Sequence, residues 1–332
     1  MIKVAINGLG RIGRATLKIL EETPDLELIA INDLTPIDNL VYLLRYDTVY
    51  GRFEKDVKSM GRDLLISDRK IHVLSEPDPQ HLPWQEMDVD IVFECTGAFR
   101  NRGELAKHLD AGARHVILSA PAKDNDIPSV VYGVNTLGDE HPPAIFSTAS
   151  CTTNCVAPVA EIMARCIGVR KSAMTTVHAY TSTQGIVDSP SKRMERGRAG
   201  AANLIPTSTG AATATTEILP EYQKKFDGLA IRAPVPVGSI IDITFVTKRT
   251  TTAEEVNNIF RAEAQTQRYL GVLGIAEDPI VSSDIIQDQH ASIVDLTSTL
   301  VVDGDLVKVL SWYDNEWGYV NQMVKQALTL VR

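Results

Sequence analysis

Two of the four cysteines in this 332-residue chain sit four positions apart, in the stretch SCTTNC from Ser150 to Cys155. Such a pair could clip a metal, form a disulfide, pack into a core, or present one nucleophile beside a bystander. A zinc clip needs three or four ligands at set spacing, and no histidine pair or second cysteine pair lies nearby. Four cysteines in so long a chain make no disulfide framework, which points to a reducing compartment. Cys95 and Cys166 fall in apolar periodic runs and read as buried structural thiols, and Cys155, one turn into an expected helix, reads the same way. Cys151 differs, because a strand (AIFSTAS) ends and a helix begins there. Free N–H groups and the helix dipole stabilise a thiolate at that place and draw a thiol below its ordinary pKa of about 8.5. His178, in TTVHAYT, is the candidate base. A strand histidine is more often structural than catalytic, so its pairing with Cys151 carries the assignment. His72, His81, His108, His115, His141 and His290 lie in polar or loop surroundings and read as surface residues.

A second set of residues suits a dinucleotide. Gly8, Gly10 and Gly13 form G-x-G-x-x-G, between the apolar run KVAIN and the helical pattern RIGRATLKILEE, and Asp33 ends the next apolar run. That context is what gives the motif weight. Gly8 permits the tight turn, Gly10 admits a pyrophosphate close to the backbone, and Gly13 lets helix and strand pack. The helix N-terminus offers N–H groups to the phosphates. Asp33 suits the adenosine ribose and repels a 2′-phosphate, so NAD is expected over NADP. A plain glycine turn with a capping aspartate is the competing reading, and the full strand–turn–helix–strand–acid order argues against it.

These residues need elements to hold them. Apolar runs at 3–7, 26–33, 89–95, 114–120 and 129–134 read as strands, with helices after the first and over 102–113. Near-continuous apolar strands alternating with helices predict a mostly parallel sheet covered on both faces. Beyond residue 150 the strands alternate better (LAIRAPVP, SIIDITFVTKR, STLVV, LVKVLSWYD), predicting a mixed or antiparallel sheet. Residues 182–210 form a long segment rich in Ser, Gly, Arg and Pro, and loops of that length are usually functional. An amphipathic helix closes the chain. The length suggests two domains, with a boundary near 150. A net charge of −9 argues against general nucleic-acid binding. The N-terminus lacks the long apolar core of a signal peptide, and no run reaches the roughly 18 apolar residues of a membrane span, so a cytoplasmic protein is expected.

The stretches INGLGRIGR, INDLT, SCTTNC, TVHAYT, STGAA and SWYDNEWGY together resemble the glyceraldehyde-3-phosphate dehydrogenase family, in its order and from residue 2 to the last helix. The resemblance implies an α/β fold. A Rossmann NAD-binding domain with a parallel sheet would span 1–150, with the C-terminal helix 316–332 packing back onto it. An α+β catalytic domain with a mixed or antiparallel sheet would span 151–315. It implies phosphorylating oxidation of D-glyceraldehyde 3-phosphate to 1,3-bisphosphoglycerate with NAD and inorganic phosphate, as in glycolysis. Cys151 would be the nucleophile and His178 the base. Ser150, Thr152, Thr209 and Gly210 match residues of one anion site, and Thr181 and Arg232 match the other. Cofactor contacts carry over to Arg11, Ile12, Asp33, Ser119 and Asn315, with Thr96 and Gly97 as further candidates. The stretch 181–203 resembles the family's S-shaped loop, which lines a neighbouring subunit's cofactor site and implies a homotetramer. Three positions depart from the family pattern: Pro77 replaces a basic residue in SEPDP, MERGR leaves Arg196 as the loop's phosphate arginine, and Ser189 precedes Pro190. The small, polar Ser189 makes some NADP use a secondary expectation. Erythrose-4-phosphate dehydrogenase is the nearest rival, and its histidine segment and its counterpart of PTSTGAA differ from those seen here. A non-catalytic NAD-binding protein is the rival of another class, and it has no need of both Cys151 and His178.

Overall fold

The computed structural model describes residues 1–137 and 142–331. The expectations for His141 and for the last residue of the 316–332 helix lie outside the described residues. The chain divides into two compact units, one of Met1–Val130, Thr136–Ala149 and Met323–Arg332, the other of Val131–Asn135 and Ser150–Gln322.

In the first unit, strands β1 (Ile2–Asn7) and β2 (Leu26–Asn32) are joined through helix α1 (Arg11–Leu20). Helix α2 (Ile37–Arg45) and a small ladder of β3 (Tyr46–Asp47) and β4 (Gly51–Arg52) follow. Next come β5 (Val57–Met60), β6 (Asp63–Ile66), β7 (Arg69–Leu74), α3 (Trp84–Met87), β8 (Ile91–Glu94), α4 (Arg102–Asp110), β9 (His115–Leu118) and β10 (Ile145–Ser147). Among the described residues they build an eight-stranded sheet in the order β10-β9-β8-β1-β2-β7-β6-β5. The pairs from β10 to β7 are parallel, and β7, β6 and β5 run antiparallel. The fold class read from the sequence is therefore the fold observed. β1 has β2 on one side and β8 on the other, so the strand order reverses at β1, where open α/β sheets bind ligands beyond their carboxyl ends.

The expectations for the run 129–134, His108 and His115 change. The apolar run 129–134 is not a strand: beyond an isolated bridge from Ser129 to Ser147 it forms turns. The Val130 N–H is taken by the Ser147 carbonyl at 2.8 Å, and the Val131 N–H by Asn135 Oδ1 at 2.8 Å, so a turn satisfies the backbone while both valines stay buried. His108 is not on the surface. It is fully buried on the inner face of α4, where its Nδ1 accepts from Trp84 Nε1 at 3.0 Å. An indole N–H only donates, so the His108 proton sits on Nε2, facing Glu94 Oε2 at 3.2 Å. His115 is half-buried as well.

The second unit holds α5 (Cys151–Cys166), β11 (Val169–Ala179), β12 (Ile205–Ser208), α6 (Ala211–Ile218), β13 (Phe226–Ala233) and β14 (Ser239–Thr247). Helix α7 (Ala253–Ala264), β15 (Leu273–Ala276), β16 (Ser292–Val302), β17 (Leu306–Tyr313) and α8 (Trp317–Leu328) complete the chain. Its described residues form a seven-stranded mixed sheet, β12-β13-β11-β14-β17-β16-β15. Burial alternates residue by residue along β14, as a strand with one covered face requires. Cys166, expected to be buried, is half-buried beside Arg165 and Glu263. The segment between β11 and β12 carries little regular structure beyond a short turn of helix at Met194–Gly197. It folds on itself through Ser189 N–H to the Gly197 carbonyl (2.8 Å), Gly200 N–H to the Gly185 carbonyl (2.9 Å) and an Arg198–Asp188 ion pair (2.8 Å). No helix among the described residues is long and apolar enough to cross a membrane.

Candidate active site

The glycine turn of the first unit has the geometry its residue types suggest. Gly8 has φ +91°, a left-handed backbone that a side chain would strain, and a Cβ there would lie 2.7 Å from the Thr96 nitrogen. A Cβ on Gly13 would lie 2.0 Å from the Gly8 carbonyl oxygen, so α1 can approach β1 only with glycine. At Gly10 a Cβ would meet nothing within 4 Å. Gly10 is also the N-cap of α1 and supplies no side-chain cap. An open approach to uncapped helix N–H groups suits a phosphate, so these residues fit a dinucleotide. Asp33 grips the turn, with Oδ2 accepting from Leu9 N–H at 2.6 Å and Oδ1 from Thr35 N–H at 2.8 Å. Arg11 pairs with Asp47 at 2.5 Å and lies over the Tyr50 ring, and Ile12 follows it in the first turn of α1. Thr96 donates its N–H to Glu94 Oε1 at 2.8 Å, and Gly97 beside it has φ +71°. Ser119 Oγ donates to the Glu94 carbonyl at 2.8 Å.

In the second unit, α5 starts at Cys151. Its N-cap is Ser150, whose Oγ accepts from Thr153 N–H at 3.1 Å. Strand β11 brings His178 to it, with Cys151 Sγ 3.4 Å from His178 Nε2. His178 is almost fully buried, and its Nδ1 lies 2.6 Å from the Ala179 carbonyl. Arg232, beside His178 in the β11–β13 register, reaches that Nδ1 at 2.5 Å and the same carbonyl at 3.1 Å. Nδ1 thus faces an acceptor, the Ala179 carbonyl, and a donor, the Arg232 guanidinium; in the tautomer that donates Nδ1–H to Ala179, the Nε2 lone pair is turned toward the sulfur. Burial first, and the Arg232 charge second, lower the His178 pKa to about 3. The imidazole is therefore neutral at pH 7 and able to accept a proton. The thiol differs from expectation. Burial raises the Cys151 pKa and outweighs the downward pull of Arg232 and of the Thr152 and Cys151 N–H groups. Part of the Cys151 surface stays open to solvent, which softens that cost.

The groups matched to anion sites lie in the same unit. Gly210 caps α6, a Cβ there would meet nothing within 4 Å, and Thr209 Oγ1 accepts from Ala211 N–H at 3.1 Å. Arg196 Nε donates to Thr207 Oγ1 at 3.0 Å and Nη2 to the Ser208 carbonyl at 3.1 Å, next to Thr209. Thr181 Oγ1 and Thr183 Oγ1 are 2.8 Å apart. Arg232 Nε is buried without a hydrogen-bond partner among the described residues. Burial lowers the Arg196 pKa and the Arg232 charge adds to it, so the two guanidiniums act on each other. The Thr152 hydroxyl is buried against Tyr313 OH at 2.9 Å and also reaches the Cys151 thiol. Asn315 Oδ1 accepts from Gly238 N–H (3.2 Å) and Ser239 Oγ (3.0 Å). Tyr313 is a residue the sequence reading missed. Its hydroxyl joins Thr152 to Thr176, also at 2.9 Å, and its ring stands edge-on to His178 with centroids 6.0 Å apart. The SWYDNEW stretch was the available signal.

The family model described as glyceraldehyde 3-phosphate dehydrogenase, NAD binding domain, matches residues 2–102. The C-terminal domain model of the same family matches residues 150–315. The chain is 45% identical to the glyceraldehyde-3-phosphate dehydrogenase of Zymomonas mobilis over 100% of its own length and 99% of the relative. It is 45% identical to that of Geobacillus stearothermophilus over 98% of this chain and 97% of the relative. With that of Streptomyces coelicolor the identity is 46%, over 97% of this chain and 96% of the relative.

Proposed function

The chain belongs to the glyceraldehyde-3-phosphate dehydrogenase family, and from that premise we propose how its own residues perform the reaction. The protein is an NAD-dependent enzyme that oxidises glyceraldehyde 3-phosphate. An aldehyde has no leaving group, so hydride departs more easily from a tetrahedral adduct. His178 Nε2 takes the Cys151 thiol proton as the sulfur adds to the aldehyde carbon and returns it to the resulting alkoxide, giving a hemithioacetal. Its hydroxyl forms beside the sulfur, within reach of His178 Nε2, which takes the proton as hydride leaves. NAD, when bound, supplies the hydride acceptor. The thioester left on Cys151 conserves the oxidation energy, and inorganic phosphate attacks it, releasing 1,3-bisphosphoglycerate and the thiolate. The Arg232 charge favours the thiolate at each turnover and discourages a lasting proton on His178.

Gly8, Gly10, Arg11, Ile12, Gly13, Asp33, Thr96, Gly97, Ser119 and Asn315 hold NAD in this reading. Two anions need two sites. Thr181 and Arg232 serve one, Ser150, Thr152, Thr209 and Gly210 the other, and Arg196 adds charge beside Thr209. Thr152 contributes its backbone N–H and its hydroxyl, which Tyr313 OH holds in place. The NAD-binding domain comprises 1–150 with 316–332, and the catalytic domain 151–315. The enzyme works as a homotetramer in the reducing cytoplasm, where its four cysteines remain free thiols. Ser189 leaves room for some use of NADP.

The observation that carries the mechanism is the 3.4 Å approach of Cys151 Sγ to His178 Nε2 at the start of α5. The test is NADH formation from glyceraldehyde 3-phosphate with and without inorganic phosphate, with NADP and erythrose 4-phosphate in parallel. Phosphate-dependent turnover is expected to be fastest with NAD and glyceraldehyde 3-phosphate. Cys151→Ser should abolish it while NAD binding survives, because a hydroxyl is a far poorer nucleophile than a thiolate. Turnover retained by that variant would remove Cys151 from its role.

A further inference from the structure

The carboxyl end of the sheet in the first unit carries a buried charge that the reaction above does not use. Glu94, the last residue of β8, is fully buried. Its oxygens accept from Asn7 Nδ2 at 2.6 Å, from His108 Nε2–H at 3.2 Å, and from both the N–H (2.8 Å) and the hydroxyl of Thr96. All four contacts can be donated to Glu94, the arrangement an ionised carboxylate takes. His108 turns an N–H toward Glu94, because its other nitrogen accepts from Trp84. No lysine or arginine pairs with Glu94 among the described residues, so the site keeps a net negative charge.

Strand order says which part of a dinucleotide lies above it. Asp33 follows β2, the glycine turn follows β1, Thr96 and Gly97 follow β8, and Ser119 follows β9, in a sheet that runs β9-β8-β1-β2. With the adenosine ribose at Asp33 and the pyrophosphate at the glycine turn, the other half of the cofactor crosses the ends of β8 and β9. Neighbouring strands are about 4.8 Å apart, so the nicotinamide half comes within roughly 10 Å of Glu94. Glu94 also supports that half's cradle. Thr96 hangs from its carboxylate, and the Ser119 N–H (3.1 Å) and hydroxyl (2.8 Å) hang from its carbonyl.

We propose that Glu94 determines which oxidation state of the cofactor the site prefers, its buried negative charge favouring the cationic nicotinamide of NAD⁺ over the neutral ring of NADH. The inference rests on the NAD site read above. Only the nicotinamide changes charge on reduction, so a fixed charge beneath it separates the two forms, whereas hydrogen bonds to ribose and phosphate hold both alike. A unit charge about 10 Å away along a half-buried path changes relative affinity by roughly three- to tenfold. The consequence is an enzyme that holds its oxidant and releases its reduced product.

The test is calorimetric binding of NAD⁺, NADH and ADP-ribose, which lacks the nicotinamide, to wild type, Glu94→Gln, Glu94→Asp and Thr96→Ala. E94Q should raise the Kd for NAD⁺ by roughly three- to tenfold more than those for NADH and ADP-ribose. E94D and T96A keep the charge while loosening the cradle, so they should leave the NAD⁺/NADH ratio within twofold of wild type. Equal changes for all three ligands in E94Q would overturn the proposal, since Glu94 would then act only as a support. If E94Q does not fold, a shifted ratio in E94D or T96A overturns it equally. A T96A protein that binds all three ligands like wild type would instead fault the placement of the nicotinamide half over β8, and with it the premise.

Discussion

The thiol of Cys151 is pulled in opposite directions, and the pull toward the thiolate comes mainly from one side chain. Burial favours the neutral form, while Arg232 is the largest influence against it, ahead of the N–H groups at the start of α5. Removing that charge has a predictable sign. Arg232→Leu should slow alkylation of Cys151 by iodoacetamide at pH 7 by roughly three- to tenfold, as a smaller fraction of the thiol is ionised. The rate is read by mass spectrometry of the Cys151 peptide, with Cys166 as the internal reference. An unchanged ratio of the two rates would mean that the helix N-terminus alone sets the thiolate. The same substitution removes a group proposed to bind phosphate, yet alkylation in the absence of any phosphate reports only on the sulfur. Tyr313 belongs to the same neighbourhood: its hydroxyl takes that of Thr152, so the start of α5 is fixed from β17 as well as from its own cap.

Helix α1 and strand β1 meet more closely than side chains allow, and this contact sets the glycine turn. A Cβ on Gly13 would fall 2.0 Å from the Gly8 carbonyl oxygen, which is backbone and has no rotamer to change. Gly13→Ala should therefore push α1 away from β1, costing about 1–3 kcal/mol of stability and weakening NAD binding several-fold. Thermal melts with and without NAD would show both effects, and a melting point equal to wild type would mean that the helix can slide. This part of the fold was legible in the sequence because glycine is there for a steric reason. β1, β2, β8 and β9 were legible too, as apolar runs buried on both faces. The antiparallel strands β5 to β7 were not, since β5 buries Val57 and exposes the three residues that follow, so no apolar run marks it. Residues 129–134 misled in the other direction, because Val130 and Val131 are buried by turns rather than by a ladder. His108 misled because α4 is short and polar overall, and what buries it, Trp84 and Glu94, is distant in sequence. Cys151 and His178 could be paired from their types and surroundings. The Arg232 contact to that histidine could not, because it depends on the register of β13 against β11.

The surface of the single chain bears on its assembly. Large apolar side chains stand exposed in the segment between β11 and β12, with Ile186 at 87%, Val187 at 72% and Met194 at 88%. A second set lies at the β16–β17 hairpin, where Leu300 and Val302 are each more than half exposed. Several large apolar side chains exposed on one element suit an interaction surface. A closed dimer needs one self-complementary patch, whereas a tetramer of dihedral symmetry needs at least two, each pairing with its own copy. The two groups would supply the two interfaces of the homotetramer proposed above. Sedimentation velocity should give wild type a mass about four times the 36.4 kDa of one chain. Ile186→Asp places a charge in the first patch and should leave dimers joined through the second. Val302→Asp should leave dimers joined through the first, and the double variant should give monomers. The two dimers should differ in activity, because the loop carrying Ile186 is the one proposed to line a neighbour's cofactor site. I186D should raise the KM for NAD, while V302D should keep it near wild type. A tetramer that survives both substitutions would mean that these patches serve another partner, and that the subunits join elsewhere.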